Sequence, residues 1–219
     1  MQSKHCPLVI CGLDEAGRGA VLGPLVVGAA VAAAPPEWPG NPGQDSKRMT
    51  PRRRSQLHEA AASFGVELIT VTIPAATINA EHGSRNMDQL TLAAMRGLAR
   101  SANADTLYFD AVGVVEKSLA RLTSALPDRE VLMQNKADQV YPIVAWASIA
   151  AKVERDRQML SLEQEHPGIG TGYNTPQTMR FLEDWSKRNA SWPPFVRTKW
   201  KNVPPLSLDG AIECGPECP

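Results

Sequence analysis

Val9-Ile10-Cys11-Gly12-Leu13-Asp14-Glu15-Ala16-Gly17-Arg18-Gly19 is the stretch from which the rest of the chain is read. An apolar run stops at two adjacent carboxylates, and a Gly-Arg-Gly turn follows. The apolar residues predict a short buried strand. The glycines permit φ > 0 or a close backbone approach. Two acids and a basic turn at one strand end suit a metal ion and a phosphate, although alone they read better as a charged surface turn. Neighbours on a strand point to opposite faces, so Glu15 is expected to join Asp14 only if the strand breaks there. The glycines that follow supply such a break.

Working outward, Val21 to Val31 predicts a second strand, and a Pro/Gly loop from Ala34 to Gly43 leads to Asp45-Ser46-Lys47. Thr50-Pro51 is a capped helix start, with the helix expected to run to about Phe64 and Gly65 closing it. Val66 to Ile73 predicts a strand ended by Pro74, and Asn86 to Ala102 a helix. Thr106 to Phe109 is a short strand with Asp110 at its end. Glu116 to Leu126 reads as a helix, Glu130 to Met133 as a strand, and Asn135-Lys136-Ala137-Asp138 as a polar link. Pro142 opens a long helix to about Glu165. A glycine-rich loop follows, then Gly172-Tyr173, a helix capped by Thr175-Pro176 and ending near Arg188, and a Pro-rich remainder.

Strands first, then alternating strand and helix, predict an α/β fold with a mixed sheet flanked by helices. Ligands of such sheets sit outside the carboxyl ends of strands. Asp14 and Asp110 lie at such ends, and Asp138 follows a third strand, so acids from distant parts of the chain are expected to converge. Clustered carboxylates repel unless a cation sits among them. Mg²⁺ or Mn²⁺ takes hard oxygen ligands, and a pair of such ions suits phosphodiester hydrolysis.

Composition narrows the field. With 219 residues, 43% of them hydrophobic and 21% charged, the chain suits one globular domain with a sizeable core. The apolar run from Ala20 to Ala34 is broken by Gly23-Pro24 and too short for a membrane span, and no secretory signal precedes Asp14. Four cysteines do not make a disulfide framework. Cys214 and Cys218 form at most a weak zinc motif, and free thiols in a reducing cytoplasm are the expectation. Lys+Arg and Asp+Glu are both 23, so the chain is not globally basic, but Lys47 to Arg54 and Trp185 to Leu208 are basic stretches without an acid. The four histidines show no paired spacing, and no G-x-x-x-x-G-K-[ST] loop is present, which removes histidine-metal, Ser-His-Asp and nucleotide-triphosphatase readings. No heptad is evident, and a monomer is expected.

The chain resembles the type 2 ribonucleases H, the ribonuclease HII family. The resemblance rests on Asp14-Glu15-Ala16-Gly17-Arg18-Gly19, Gly23-Pro24-Leu25-Val26, Asp45-Ser46-Lys47, Phe109-Asp110-Ala111, Lys136-Ala137-Asp138, Ala147 through Asp156, Gly172-Tyr173 and Arg197-Thr-Lys199-Trp200-Lys201. It implies an RNase H-like fold over 1–165, a helical extension over 166–206 and a flexible tail over 207–219. It implies endonucleolytic cutting of RNA in RNA–DNA hybrids and at ribonucleotides embedded in duplex DNA, leaving a 5′-phosphate and a 3′-hydroxyl. Asp14, Glu15, Asp110 and Asp138 are then the catalytic, metal-binding acids for Mg²⁺ or Mn²⁺. Gly17, Arg18, Gly19 and Tyr173 read the ribose 2′-OH, and Lys47, Lys152 and Arg155 contact phosphates. The segment after Tyr173 is closer to bacterial members and the late Arg-x-Lys-Trp-Lys segment to archaeal ones. No Gln-plus-two-aromatics clamp motif is present. The competing expectations are a hybrid-binding module and a structure-specific DNA nuclease on the same fold.

Overall fold

Period-two alternation in the first strand sorts the molecule into two halves. The computed structural model of the chain describes residues 8–39 and 49–207. Cys6, the Asp45-Ser46-Lys47 segment and the Cys214/Cys218 tail lie outside the described residues. Strand β1 (Ile10–Ala16) directs Ile10, Gly12, Asp14 and Ala16 to one face and Cys11 and Leu13 to the other. It pairs antiparallel with β2 (Leu25–Ala32), which pairs antiparallel with β3 (Glu67–Ile73). On its other side β1 runs parallel to β4 (Thr106–Asp110), which runs parallel to β5 (Glu130–Gln134). The result is a five-stranded mixed sheet in the order β3-β2-β1-β4-β5.

Cys11 and Leu13 share a core with Val27, Leu107 and Phe109 under α3 (Met87–Ser101) and α4 (Val115–Ala125). Ile10, Ala30 and Ala32 pack on the other face against α5 (Pro142–Glu165) and α1 (Pro51–Ala60). Helix α5 organises this half. Every residue from Ile143 to Ala151 is buried, as a helix enclosed on all sides requires. It lies so close to the sheet that a Cβ on Gly12 would run into the backbone of Ile143 and Val144, and one on Gly28 into the Ala147 carbonyl. Glycine is thus required at these two positions by helix–sheet contact.

The helix ends follow local chemistry. Thr50, Asn86 and Thr175 cap α1, α3 and α6 (Pro176–Arg188), each side chain accepting a backbone N–H from three residues on. Asn86 and Gln89 form a reciprocal capping box. The last turn of the first predicted helix tightens to a 3₁₀ turn over Ala61–Phe64, closed by Gly65 at φ 69°. A short helix, α2 (Ala75–Glu81), occupies the stretch after Pro74, where the sequence predicted no element. Its seven residues are too few for a periodic signal.

Two strand boundaries differ from expectation. β1 does not break at the carboxylates: it continues through Glu15, which pairs with Val27, to Ala16. β2 starts at Leu25 instead of Val21. Gly23 sits at φ 77° and Pro24 carries no N–H, so Val21 and Leu22 are turned away from the sheet. Their N–H groups donate instead to the Gly172 carbonyl, at 2.8 and 2.9 Å. There they join a third, smaller core with Met159, Ile169, Leu182 and Val196, through which α6 and the C-terminal segment pack on the body.

Candidate active site

The carboxyl ends of β1 and β4 set the site. Leu13 is registered with Phe109, so Asp14 and Asp110 follow as the next residues on adjacent parallel strands. Asp14 is 5% exposed and faces α5, where Ser148 hydrogen-bonds its carboxyl and the Lys152 charge lies close by. Lys152 in turn donates to Ser148 Oγ at 2.9 Å. The Glu15 N–H donates to Asp14 Oδ1 at 2.7 Å. Burial first, and the Asp110 charge second, push Asp14 up to about 6.

Glu15 joins the same cluster although the strand does not break before it: its carboxyl hydrogen-bonds that of Asp14. Burial, then the Asp14 charge, raise it to about 8, against the opposing pull of Arg18. Arg18 Nε lies 3.5 Å from Glu15 Oε1, and its Nη1 3.9 Å from Asp88 on the first turn of α3. Glu15 Oε2 is buried with no hydrogen-bond partner, a costly state for a carboxyl oxygen.

Asp110 Oδ1 accepts the Ala137 N–H at 2.8 Å. This ties β4 to the 3₁₀ turn Ala137–Gln139, which carries Asp138. Lys136, entering that turn, is held at φ 57°, a left-handed conformation unusual for a side-chain-bearing residue. Asp138 is thus one residue from the point where its turn is fastened to Asp110.

The Gly17–Gly23 segment is held from two sides. Gly17, at φ 88°, donates its N–H to the Tyr173 hydroxyl at 3.1 Å. Arg155 lies 4.6 Å over the Tyr173 ring and donates to the carbonyls of Pro24, Leu22 and Thr171. It is 3% exposed, so the structure removes it from the water-facing side where a phosphate contact was expected and makes it a brace instead. A Cβ on Gly17 would collide with Arg155 Nε and the Pro24 carbonyl, whereas one on Gly19 would meet open space.

Two contributors escaped the candidate residues read from sequence, although both lie in quoted motifs. Ser148 is the hydroxyl partner of Asp14. Arg197 is fully buried and donates to the carbonyls of Gly23 (3.1 Å) and Arg18 (3.0 Å), with its Nη2 left without a partner. Nothing in a local reading distinguishes a buried arginine from the exposed basic residues Lys199 and Lys201 beside it.

The donor set fits a hard divalent cation in kind: crowded carboxylates, raised pKa values and an orphaned buried oxygen. Among the described residues no three His, Cys, Asp or Glu side chains form a ready-made cage. Asp14 and Asp110 each direct an oxygen to a backbone N–H.

A family profile described as Ribonuclease HII matches residues 11–203. Ribonuclease HII of Thermococcus kodakarensis is 36% identical over 199 residues, covering 89% of this chain and 87% of that protein. Ribonuclease HII of Hyperthermus butylicus is 37% identical over 222 residues, covering 97% and 90%. The solved structure of a PCNA:RNase HII complex from Archaeoglobus fulgidus superposes with a TM-score of 0.78 at 27% identity, covering 92% of this chain and 99% of that one.

Proposed function

The chain belongs to the ribonuclease HII family, hydrolases that cut RNA in RNA–DNA hybrids, and from that premise we propose that it also cuts duplex DNA at single embedded ribonucleotides. The observation that carries this reading is the Gly17 N–H to Tyr173 hydroxyl bond at 3.1 Å, set beside the Asp14, Glu15 and Asp110 carboxylates. It puts a glycine backbone, an aromatic ring and the acids at one end of the sheet.

Asp14, Glu15, Asp110 and Asp138 hold divalent cations, Mg²⁺ or Mn²⁺. When bound, these ions supply Lewis-acid stabilisation of phosphate charge and make a water nucleophilic near neutral pH. The protein's own contributions are positional. Ser148 and the Glu15 N–H orient Asp14. The Ala137 N–H orients Asp110 and thereby sets the turn that carries Asp138. Arg18 balances Glu15 charge and keeps one guanidinium nitrogen, Nη1, without a hydrogen-bond partner. Gly17, Arg18, Gly19 and Tyr173 recognise the 2′-OH, which separates RNA from DNA. Tyr173, 40% exposed, offers its ring to the adjacent sugar or base. Lys152, beside Asp14, and Lys47 neutralise phosphates, while Arg155 positions Tyr173. Cleavage leaves a 5′-phosphate and a 3′-hydroxyl. The Archaeoglobus relative was solved with PCNA. This chain lacks the Gln-plus-two-aromatics motif, and no clamp contact is proposed for it.

The test is cleavage of an end-labelled DNA duplex carrying one ribonucleotide, with Mg²⁺, Mn²⁺ or chelator, beside a long hybrid, an all-DNA duplex and a branched DNA. Metal-dependent cutting of the hybrid, and of the duplex at its ribonucleotide, is expected with the all-DNA and branched DNA left intact, and Asp138→Asn should lower it by about 10²-fold or more. Cutting of the hybrid but not the embedded ribonucleotide removes the roles given to Arg18 and Tyr173. Binding without cutting leaves a hybrid-binding module, and cutting of branched DNA a structure-specific nuclease.

A further inference from the structure

A groove of about 400 Å³ runs between α3 and α4, outside the site described above. Arg85, Arg96 and Arg121 line it with Ser84 and Gln89, and no acidic residue lines it. Its floor is apolar and rigid: Leu92 is 7% and Leu122 2% exposed. All three arginines are exposed. Arg85 has one acidic neighbour, Glu81 at 3.6 Å, and Arg96 and Arg121 have none within 4.0 Å among the described residues. Three like charges thus share this groove with a single acidic partner, Glu81 on Arg85, and the positive field they sum to favours an anion there.

The groove is also placed along a line from the acids. Asp88, which reaches Arg18, is one residue before Gln89, so the groove begins beside the residue that touches the Gly17–Gly19 turn. From there Gln89, Ala93 and Arg96 follow the i, i+4, i+7 face of α3. Seven residues of helix advance about 10 Å, close to three base steps of about 3.4 Å along one strand. The groove is thus long enough to follow a strand past more than one phosphate, and guanidinium groups bind phosphates in bidentate fashion.

We propose that the α3–α4 groove is a phosphate track for the duplex flanking the cut, with Arg96 and Arg121, and secondarily Arg85, binding its backbone away from the scissile bond. This rests on the nucleic-acid reading above. The contacts carry no sequence or sugar information; they set how much flanking duplex the protein grips and how strongly salt opposes it.

The test is equilibrium binding in chelator, where no strand is cut, of a hybrid-containing duplex across a salt series, for wild type and for R96Q/R121Q. Gln keeps helix propensity at both exposed positions, so an unchanged urea midpoint is expected. Each lost phosphate contact lowers the slope of log K against log salt by about 0.9, so the double variant should lose about 1.8 in magnitude. The loss should appear on a long duplex and not on one just long enough to cover the acids and the Gly17–Gly19 turn. An unchanged slope overturns the proposal, and so does an equal loss on both duplexes. A chain that shows the slope loss but cuts nothing keeps the groove and loses the enzymatic reading. One that cuts with an unchanged slope loses only the groove.

Discussion

At the scale of single residues, the two glycines of the Gly-Arg-Gly turn answer to different demands. Gly17 is required by the fold: its φ of 88° and the neighbouring Arg155 and Pro24 leave no place for a Cβ. Gly19 has open space around it, so the fold itself makes no such demand there. Gly17→Ala should therefore lower stability by roughly 1–3 kcal/mol, from strain and overpacking together. Gly19→Ala should leave the urea midpoint within about 0.5 kcal/mol of wild type and raise KM for a ribonucleotide-containing duplex. Equal destabilisation by both variants would sink the distinction.

Among the elements, the C-terminal segment matters more than its irregular appearance suggests. Its backbone pairs with the Val21–Gly23 stretch, with Arg197 N–H donating to Val21 and Gly23 N–H to Phe195, and it delivers Arg197 under the turn. The guanidinium meets carbonyl oxygens and the Trp200 ring at 5.4 Å, with no carboxylate ion-paired to it among the described residues. Burial without a counter-ion lowers Arg197 to about 9. Hydrogen bonds to a charged group are worth about 1.5–3 kcal/mol each, and Arg197 makes two to the loop that carries Arg18. Arg197→Met keeps the volume and removes both. It should cost about 3–6 kcal/mol in urea unfolding, and on the folded fraction it should lower discrimination between ribonucleotide and all-DNA duplexes. Full discrimination in Arg197→Met would show that the loop holds its shape without the brace.

For the whole molecule, the acid cluster links protonation to stability. Asp14 and Glu15 are raised in the folded state, to about 6 and about 8, so the native protein binds these protons more tightly than the unfolded chain does. The sign follows: their contribution favours folding at low pH and is lost as pH rises from the ordinary carboxylate range through about 8. Divalent cations compete with those protons, so Mg²⁺ should raise the urea midpoint more at pH 8 than at pH 5. Subtracting Glu15→Gln, measured over the same range with chelator, isolates the term from other titrating groups. A wild-type stability that rises with pH relative to that variant would contradict the burial assigned to Glu15. No described helix is long and apolar enough to cross a membrane.

Much of this architecture is written in one dimension. The alternation of β1, the Thr50, Asn86 and Thr175 caps and the all-apolar opening of α5 depend on neighbours a few residues away, and their elements were legible from the sequence. So was Asp110 as a strand-end acid, because an apolar run stops there. What the sequence could not determine is every feature set by partners far along the chain. Pairing with Val27 carries β1 past the two carboxylates, and the Gly172 carbonyl draws Val21 and Leu22 out of β2. Arg155, expected to contact phosphate, is enclosed by Tyr173 and three carbonyls from distant loops. Arg197, one base among several in a basic stretch, turns out to be fully buried. Patterning reports which residues prefer burial. Whether an arginine or a carboxylate is buried depends on carbonyls and charges that only the packed chain brings within reach, and those decided the form of the site.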